Sequence, residues 1–344
     1  MENTVPLKVS SFRLFMAFLI FAILPLSSCA PRLHTSRTYT MGTYCSVTEE
    51  LEGKEEGDLS PLLFPLLEEI EGLLSHKVDG SVSDLLNGLD YVVIPNGHRA
   101  RLTEELRLAE QIKEKTGGLF SLSVLPITSL WDFGNESAVP PSPEDIATAL
   151  AEMKDSALSF EDDIIRKTGG DIDLGAIGKG YACDVLRDAL PASKSALISI
   201  GGSIAAVGRK SSGEAWQIGV RDPFSSSKNA TLGTLSLTDA FVSTSGSYEK
   251  CFTHEGKLYH HILDPRTGSP CESDLVSVTV VAGKGTLTDM LSTACFLVGS
   301  DAAFSLAAQY GAGIIAVKTD GTLLVSAALS DIFTPKAGWE PQYR

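Results

Sequence analysis

Six cysteines and six histidines are all that 344 residues offer for soft-metal or redox chemistry, and neither set is clustered. The cysteines, at 29, 45, 183, 251, 271 and 295, form no CxxC pair and no zinc spacing. With Cys29 set aside for a lipid, an odd number remains, so no disulfide framework is implied. Cys183 and Cys295 read as helix-packing residues. A basic cluster is also missing: 28 Lys and Arg face 43 Asp and Glu, for a net charge of −15. Nucleic acid is therefore excluded as a partner class, and any polyanionic ligand needs a metal ion or local cations. No low-complexity linker and no internal repeat divides the chain.

Long hydrophobic runs are scarce too. The longest, LFMAFLIFAILPL at residues 14–26, falls short of the roughly 20 residues that span a bilayer. It follows Lys8 and Arg13 and precedes "SSCA", the order of a secretory leader. Leu26-Ser27-Ser28-Cys29 resembles a bacterial lipobox, with Cys29 as the lipidated residue. The expectation is a lipoprotein signal peptide over 1–28, a tether over 29–38 and a single domain over 39–344. That places the chain lipid-anchored on the periplasmic side of a membrane, inner or outer left open. The alternative is an ordinary signal peptide with a chance cysteine.

Tyr39 to Val47 alternates like a strand, 59–74 has apolar residues at helical spacing, and 75–87 reads as a polar connection. Further helices are expected over 102–116 and in "PPSPEDIATALAEM". From Ile164 onward short β-like runs dominate, at 164–174, 195–207, 215–220, 231–237, 239–244, 257–263 and 274–281. Helices interrupt at about 178–190, 287–298 and 301–310. Strands and helices do not alternate regularly, so the fold class is α+β rather than a doubly wound parallel sheet.

Several stretches could carry chemistry. "DIDLGAIGKGYACDVL" (171–186) puts Gly175, Gly178 and Gly180 ahead of a helix, with Lys179 as a point charge for phosphate. Its spacing is neither a P-loop nor GxGxxG, and a glycine-rich turn into a surface helix explains it equally well. In "TLTDMLSTACFLVG" (286–299), Asp289 and Thr293 share one helix face. A carboxylate and a hydroxyl so placed suit a hard cation, while electrostatic support of the helix start and packing are the plain alternative. Phe120, Trp131 and Phe133 could line a flat-ring pocket or simply pack. "YHHILDPRTG" (259–268) sets His260 and His261 on one expected strand, where neighbours point opposite ways.

Together these stretches resemble one family. Met41-Gly42-Thr43, "SDLLN" (83–87), "GGLF…P…LWDFG", "DLGAIGKGYACD", "SIGGSI", "IGVRDP", "STSGSYEK", "HILDPRTGSP" and "TDMLSTACFLVG" occur in the order seen in the ApbE family of FAD:protein FMN transferases. The resemblance covers about Tyr39 to Leu324. It implies an α+β fold with mixed, largely antiparallel sheets and packed helices, in two T-fold-like halves. The activity it implies transfers the FMN half of FAD to a Thr or Ser hydroxyl of a partner protein and releases AMP, with the diphosphate on Mg²⁺. Asp289 and Thr293 would be metal ligands, with a loop carbonyl from Ala176 or Gly178. Met41, Asn87, Asp173, Lys179 and Gly202 would contact FAD, with Arg221 and Arg266 near phosphate or structural.

His261 falls at the family's histidine and would be the base, His260 its outward neighbour. A hydroxyl needs such a base, and imidazole titrates in the right range. The implied acceptor is an exported redox protein of the quinone-reductase type. Ser121 departs from the Asp that many relatives carry. Asn87 stands at a position associated with the choice between FAD hydrolysis and FAD holding, so an Mg²⁺-dependent FAD pyrophosphatase and an FAD-binding lipoprotein stay as alternatives.

Overall fold

Alternating side chains and tight two-residue turns build the sheet that organises this protein. The computed structural model describes residues 32–51, 58–135, 137–227 and 229–344. The lipidation candidate Cys29 and the leader lie outside the described residues. Strands β1 (Arg32–Thr40) and β2 (Thr43–Leu51) pair antiparallel, with Tyr39 opposite Tyr44. Their turn is Met41–Gly42, with φ of 53° and 67°. Two-residue hairpins demand this left-handed geometry, which a methionine seldom adopts.

The large sheet continues through β3 (Ala196–Ile200), β4 (Ser203–Val207), β5 (Ala240–Gly246) and β6 (Leu275–Ala282). It ends with β7 (Gly313–Lys318), β8 (Leu323–Val325) and β9 (Pro341–Tyr343). All nine strands lie side by side in chain order. Neighbours are antiparallel except β8 and β9, which run parallel. β4 pairs directly with β5, so one continuous sheet joins the first four strands to the rest.

The excursions between strands carry the helices. These are α1 (Ser60–Leu74), α2 (Val82–Leu89), α3 (Asn96–Lys115), α4 (Leu125–Thr128), α5 (Pro143–Glu152), α6 (Gly178–Ala189), α7 (Gly285–Val298) and α8 (Ser300–Ala308). One sheet face, including Ile198, Val278, Val280 and Ile314, packs in a core with buried residues of α1, α6 and α7. The other face, with Val242, Val281, Ile315 and Val317, meets Trp216, Ile218, Leu235 and Phe333. Those four come from a three-stranded sheet of Trp216–Arg221, Thr231–Leu237 and Phe333–Pro335. Burial on both faces explains the nearly unbroken apolar runs of β6 and β7.

The structure redraws several expected elements. Arg32 to Thr38, expected as tether, belongs to β1. The 75–87 connection contains the start of α2, capped by Ser81, whose Oγ accepts from the Asp84 N–H at 3.0 Å. The strand over 164–174 stops at Thr168, because Gly169 (φ 71°) turns the chain against Ser156. The run 195–207 is a hairpin, not one strand: Gly201 takes φ 55° and the chain reverses. The strand carrying both histidines ends at His260, one residue before His261.

The tightest packing lies between α6 and α7. A Cβ on Gly180 would overlap the carbonyl oxygen of Gly285 and come within 2.8 Å of the Asp289 Cβ. Gly180→Ala is therefore expected to destabilise the protein by roughly 3 kcal/mol, as overpacking does. Gly72→Ala, with open space at its Cβ inside α1, should instead stabilise by about 0.5 kcal/mol. Urea unfolding of the two variants checks the contrast.

Candidate active site

The close crossing leaves α6 and α7 near enough for side chain to meet backbone. The N–H of Gly180 lies in the first turn of α6, where no carbonyl of the same helix is available to accept it. Instead it donates to Asp289 Oδ2 at 3.0 Å. Ser203 Oγ, at the start of β4, donates to Asp289 Oδ1 at 3.2 Å. Asp289 is buried, yet Lys179 Nζ stands 3.5 Å from Oδ1 and donates to the Gly175 carbonyl at 3.1 Å. An ammonium thus already sits where a carboxylate and a loop carbonyl converge.

Strand β5 lines the same helix. Alternation brings Ser243 and Ser245 to one face. Ser243 Oγ bonds Thr288 Oγ1 at 2.9 Å and donates to Ser203 at 3.1 Å. Ser245 Oγ bonds Ser292 at 2.8 Å and Thr293 at 3.2 Å. The N-terminus of α7 is fixed by Asp184, which accepts from the Gly285 N–H (2.7 Å), the Thr286 N–H (2.8 Å) and Thr286 Oγ1 (2.7 Å). Lys284, just before α7, pairs at 2.7 Å with Glu105, a fully buried carboxylate on α3. Neither Asp184 nor Glu105 stood out in the sequence: each is a lone acid on a helix until its partner is seen.

His261 faces a cationic group of loops. Burial first, then the charges of Lys250 and Lys179, push its imidazole down to about 3. Its Nδ1 is buried without a hydrogen-bond partner. Lys250 is held below the ordinary lysine range by desolvation first and then by Lys179 and Lys77. Asp173 lies opposite. Burial would raise its pKa, but His76 at 3.7 Å, the Gly175 N–H at 2.8 Å and Lys179 hold it low. The sequence reading missed Lys77, His76 and Lys250, although Lys250 closes the quoted "STSGSYEK".

The other expected residues fall out as follows. Met41 reaches the start of α6, where a Cβ on Gly178 would lie 3.6 Å from its Cε. Gly202 forms the β3–β4 turn with its carbonyl accepting from Thr244 N–H at 3.1 Å. Gly178 is the first residue of α6, so its carbonyl serves the helix, which leaves Ala176 as the freer of the two loop carbonyls. Asn87 spends both amide ends on Ile172, donating to its carbonyl at 3.0 Å and accepting from its N–H at 2.8 Å. It braces the segment leading to Asp173.

Arg266 is tied to Asp264 at 2.8 Å and is mostly exposed; Arg221 pairs with Glu249 at 3.1 Å and lies over Tyr248. Both are accounted for by structure. His260 is not outward: it is buried, edge-on to Phe296. Phe120 and Trp131 are buried in two separate apolar clusters, so packing explains them. Ser121 Oγ accepts from the Ser123 N–H at 3.1 Å, a local turn contact.

Asp289, the Ala176 carbonyl and Thr293 fit a hard cation that keeps most positions for water and ligand oxygens. The ammonium on Asp289 shows that positive charge is accommodated there. Among the described residues no group of three or more His, Cys, Asp or Glu competes as a metal site.

Fold and site define a class: an α+β protein in which a glycine loop, lysines and one imidazole gather near a buried carboxylate. The profile of the ApbE family matches residues 41–317, and the chain belongs to that family. It is 32% identical over 292 residues to a FAD:protein FMN transferase of Treponema pallidum, covering 78% of this chain and 79% of that one. A protein of the same name from Klebsiella pneumoniae is 30% identical over 70% of this chain and 76% of its own. Among solved structures, the ApbE protein of Thermotoga maritima superposes with a TM-score of 0.75 at 26% identity, over 88% of this chain and 99% of that one. The flavinyl transferase ApbE of Pseudomonas stutzeri, apo form, gives 0.74 at 28%, over 89% and 98%.

The low pKa of His261 has a measurable consequence for stability. Below its unfolded value of 6.5 the unfolded chain takes up a proton that folded His261 refuses until about pH 3. Its contribution therefore turns against folding as pH falls through that window. His261→Gln should lose less stability than wild type between pH 7 and 5 in urea unfolding.

Proposed function

We propose that this protein is a FAD:protein FMN transferase, moving the FMN half of FAD onto a Thr or Ser hydroxyl of a partner protein. The observation that carries this reading is a desolvated imidazole, His261, set among the charges of Lys250 and Lys179, with Lys179 paired to the buried carboxylate of Asp289. Family membership supports the substrate and the reaction.

His261, neutral at working pH, takes the proton from the acceptor hydroxyl. The hydroxyl oxygen forms its bond to the FMN-side phosphorus. The bond from that phosphorus to the bridging oxygen breaks, and AMP leaves with the electron pair. Lys250 and Lys77 hold the diphosphate by charge. Asn87 and Asp173 keep the 172–175 segment in place beneath it. Mg²⁺, held by Asp289, Thr293 and the Ala176 carbonyl, would offset charge on the diphosphate and the departing AMP.

The leader motif supports a lipid-anchored enzyme on the periplasmic side of a bacterial membrane, acting on an exported redox protein of the quinone-reductase type. No helix among the described residues is long and apolar enough to cross a membrane.

Mass spectrometry tests the reaction. A candidate acceptor incubated with this protein, FAD and Mg²⁺ should gain the mass of FMN, with AMP released in equal amount. FMN release without acceptor labelling would point to a pyrophosphatase instead. His261→Ala should lower transfer by roughly 10²–10⁴-fold, the usual range for a general base, while still binding FAD. For wild type, kcat/KM should stay flat from pH 8 to 6, its acid limb displaced below the ordinary histidine range.

A further inference from the structure

The Lys179 ammonium is engaged by two oxygen groups. It lies 3.1 Å from the Gly175 carbonyl and 3.5 Å from Asp289 Oδ1. Carboxylate and carbonyl oxygens are the donors a hard divalent cation takes. Asp289 Oδ2 is committed to the Gly180 N–H, whereas Oδ1 faces the Lys179 ammonium and takes the Ser203 hydroxyl at 3.2 Å, so Oδ1 is the oxygen that a cation replacing Lys179 would meet. The Asp289 side chain is only 6% exposed, against 32% for Lys179, so the carboxylate is fixed and the lysine is the partner with room to move. Two cations cannot share one carboxylate oxygen at close range without strong repulsion. Lys250, whose ammonium feels the charges of Lys179 and Lys77, belongs to the same cationic group.

We propose that Lys179 is an exchange cation: it neutralises Asp289 while the metal is absent, yields that carboxylate to the divalent ion, and moves onto the dinucleotide's diphosphate. Metal and dinucleotide then bind cooperatively through one side chain. The inference rests on the functional reading above and adds a coupling between its two ligands.

Mn²⁺ binding followed by electron paramagnetic resonance tests it, on wild type, Lys179→Met, Lys179→Arg and Asp289→Asn, with and without FAD. Without FAD, Lys179→Met should bind Mn²⁺ about threefold more tightly than wild type, the size expected for an ion pair with one partly exposed partner. Lys179→Arg, which keeps the charge, should match wild type. FAD should tighten Mn²⁺ binding in wild type and do so much less in Lys179→Met. Equal or weaker Mn²⁺ binding by Lys179→Met overturns the exchange, as does an Arg variant as tight as the Met variant. Wild-type Mn²⁺ binding that Asp289→Asn leaves unchanged overturns the metal site itself, and the exchange with it.

Discussion

Two glycines set how near α6 can come to α7, and the site depends on that distance. With Cβ atoms at 180 and 285 the helices would be forced apart. Asp289 would then lose the Gly180 N–H, and that first-turn donor would be left without its partner. Asp184 holds the same crossing from the other side by capping α7 with three hydrogen bonds. Contacts that look like packing therefore decide which backbone groups are left for a ligand. The geometry is an instance of glycine serving close approach rather than flexibility.

Charge is arranged on the same scale. The chain is strongly acidic overall, yet Lys179 and Lys250 come together from distant segments beside His261, with Lys77 near Lys250. Burial first, and then the neighbouring positive charges, depress Lys250 and His261, and a bound diphosphate would offset the charge part of that effect. A surface that repels anions at long range thus contains one place that attracts them. The partly desolvated imidazole is kept neutral, which is the protonation state a base needs.

Much of this was legible in the sequence, and the exceptions have physical causes. The α+β class, α6, α7 and the Asp289–Thr293 face followed from periodicity, because helices of this length carry a full apolar stripe. The hairpin at Gly201–Gly202 was read as one strand, since both its arms are apolar and only the positive φ at Gly201 reveals the reversal. His260 was expected outward by alternation, but the strand ends there and His261 leaves its register. Lys77, His76 and Glu105 were invisible for a different reason. Their meaning lies in partners 97 and 179 residues away in sequence (His76 with Asp173, Glu105 with Lys284), or, for Lys77, in the charge of Lys250 that only folding brings near.

The most direct test of the account is a crystal structure with FAD and Mn²⁺ bound, the metal located by its anomalous scattering. The account predicts a Mn²⁺ peak about 2.2 Å from Asp289 Oδ1, in contact with a diphosphate oxygen and a carbonyl of the 175–178 loop, with His261 beside the FMN-side phosphorus. A metal bound elsewhere, with Lys179 still on Asp289 and the diphosphate remote from His261, would contradict it.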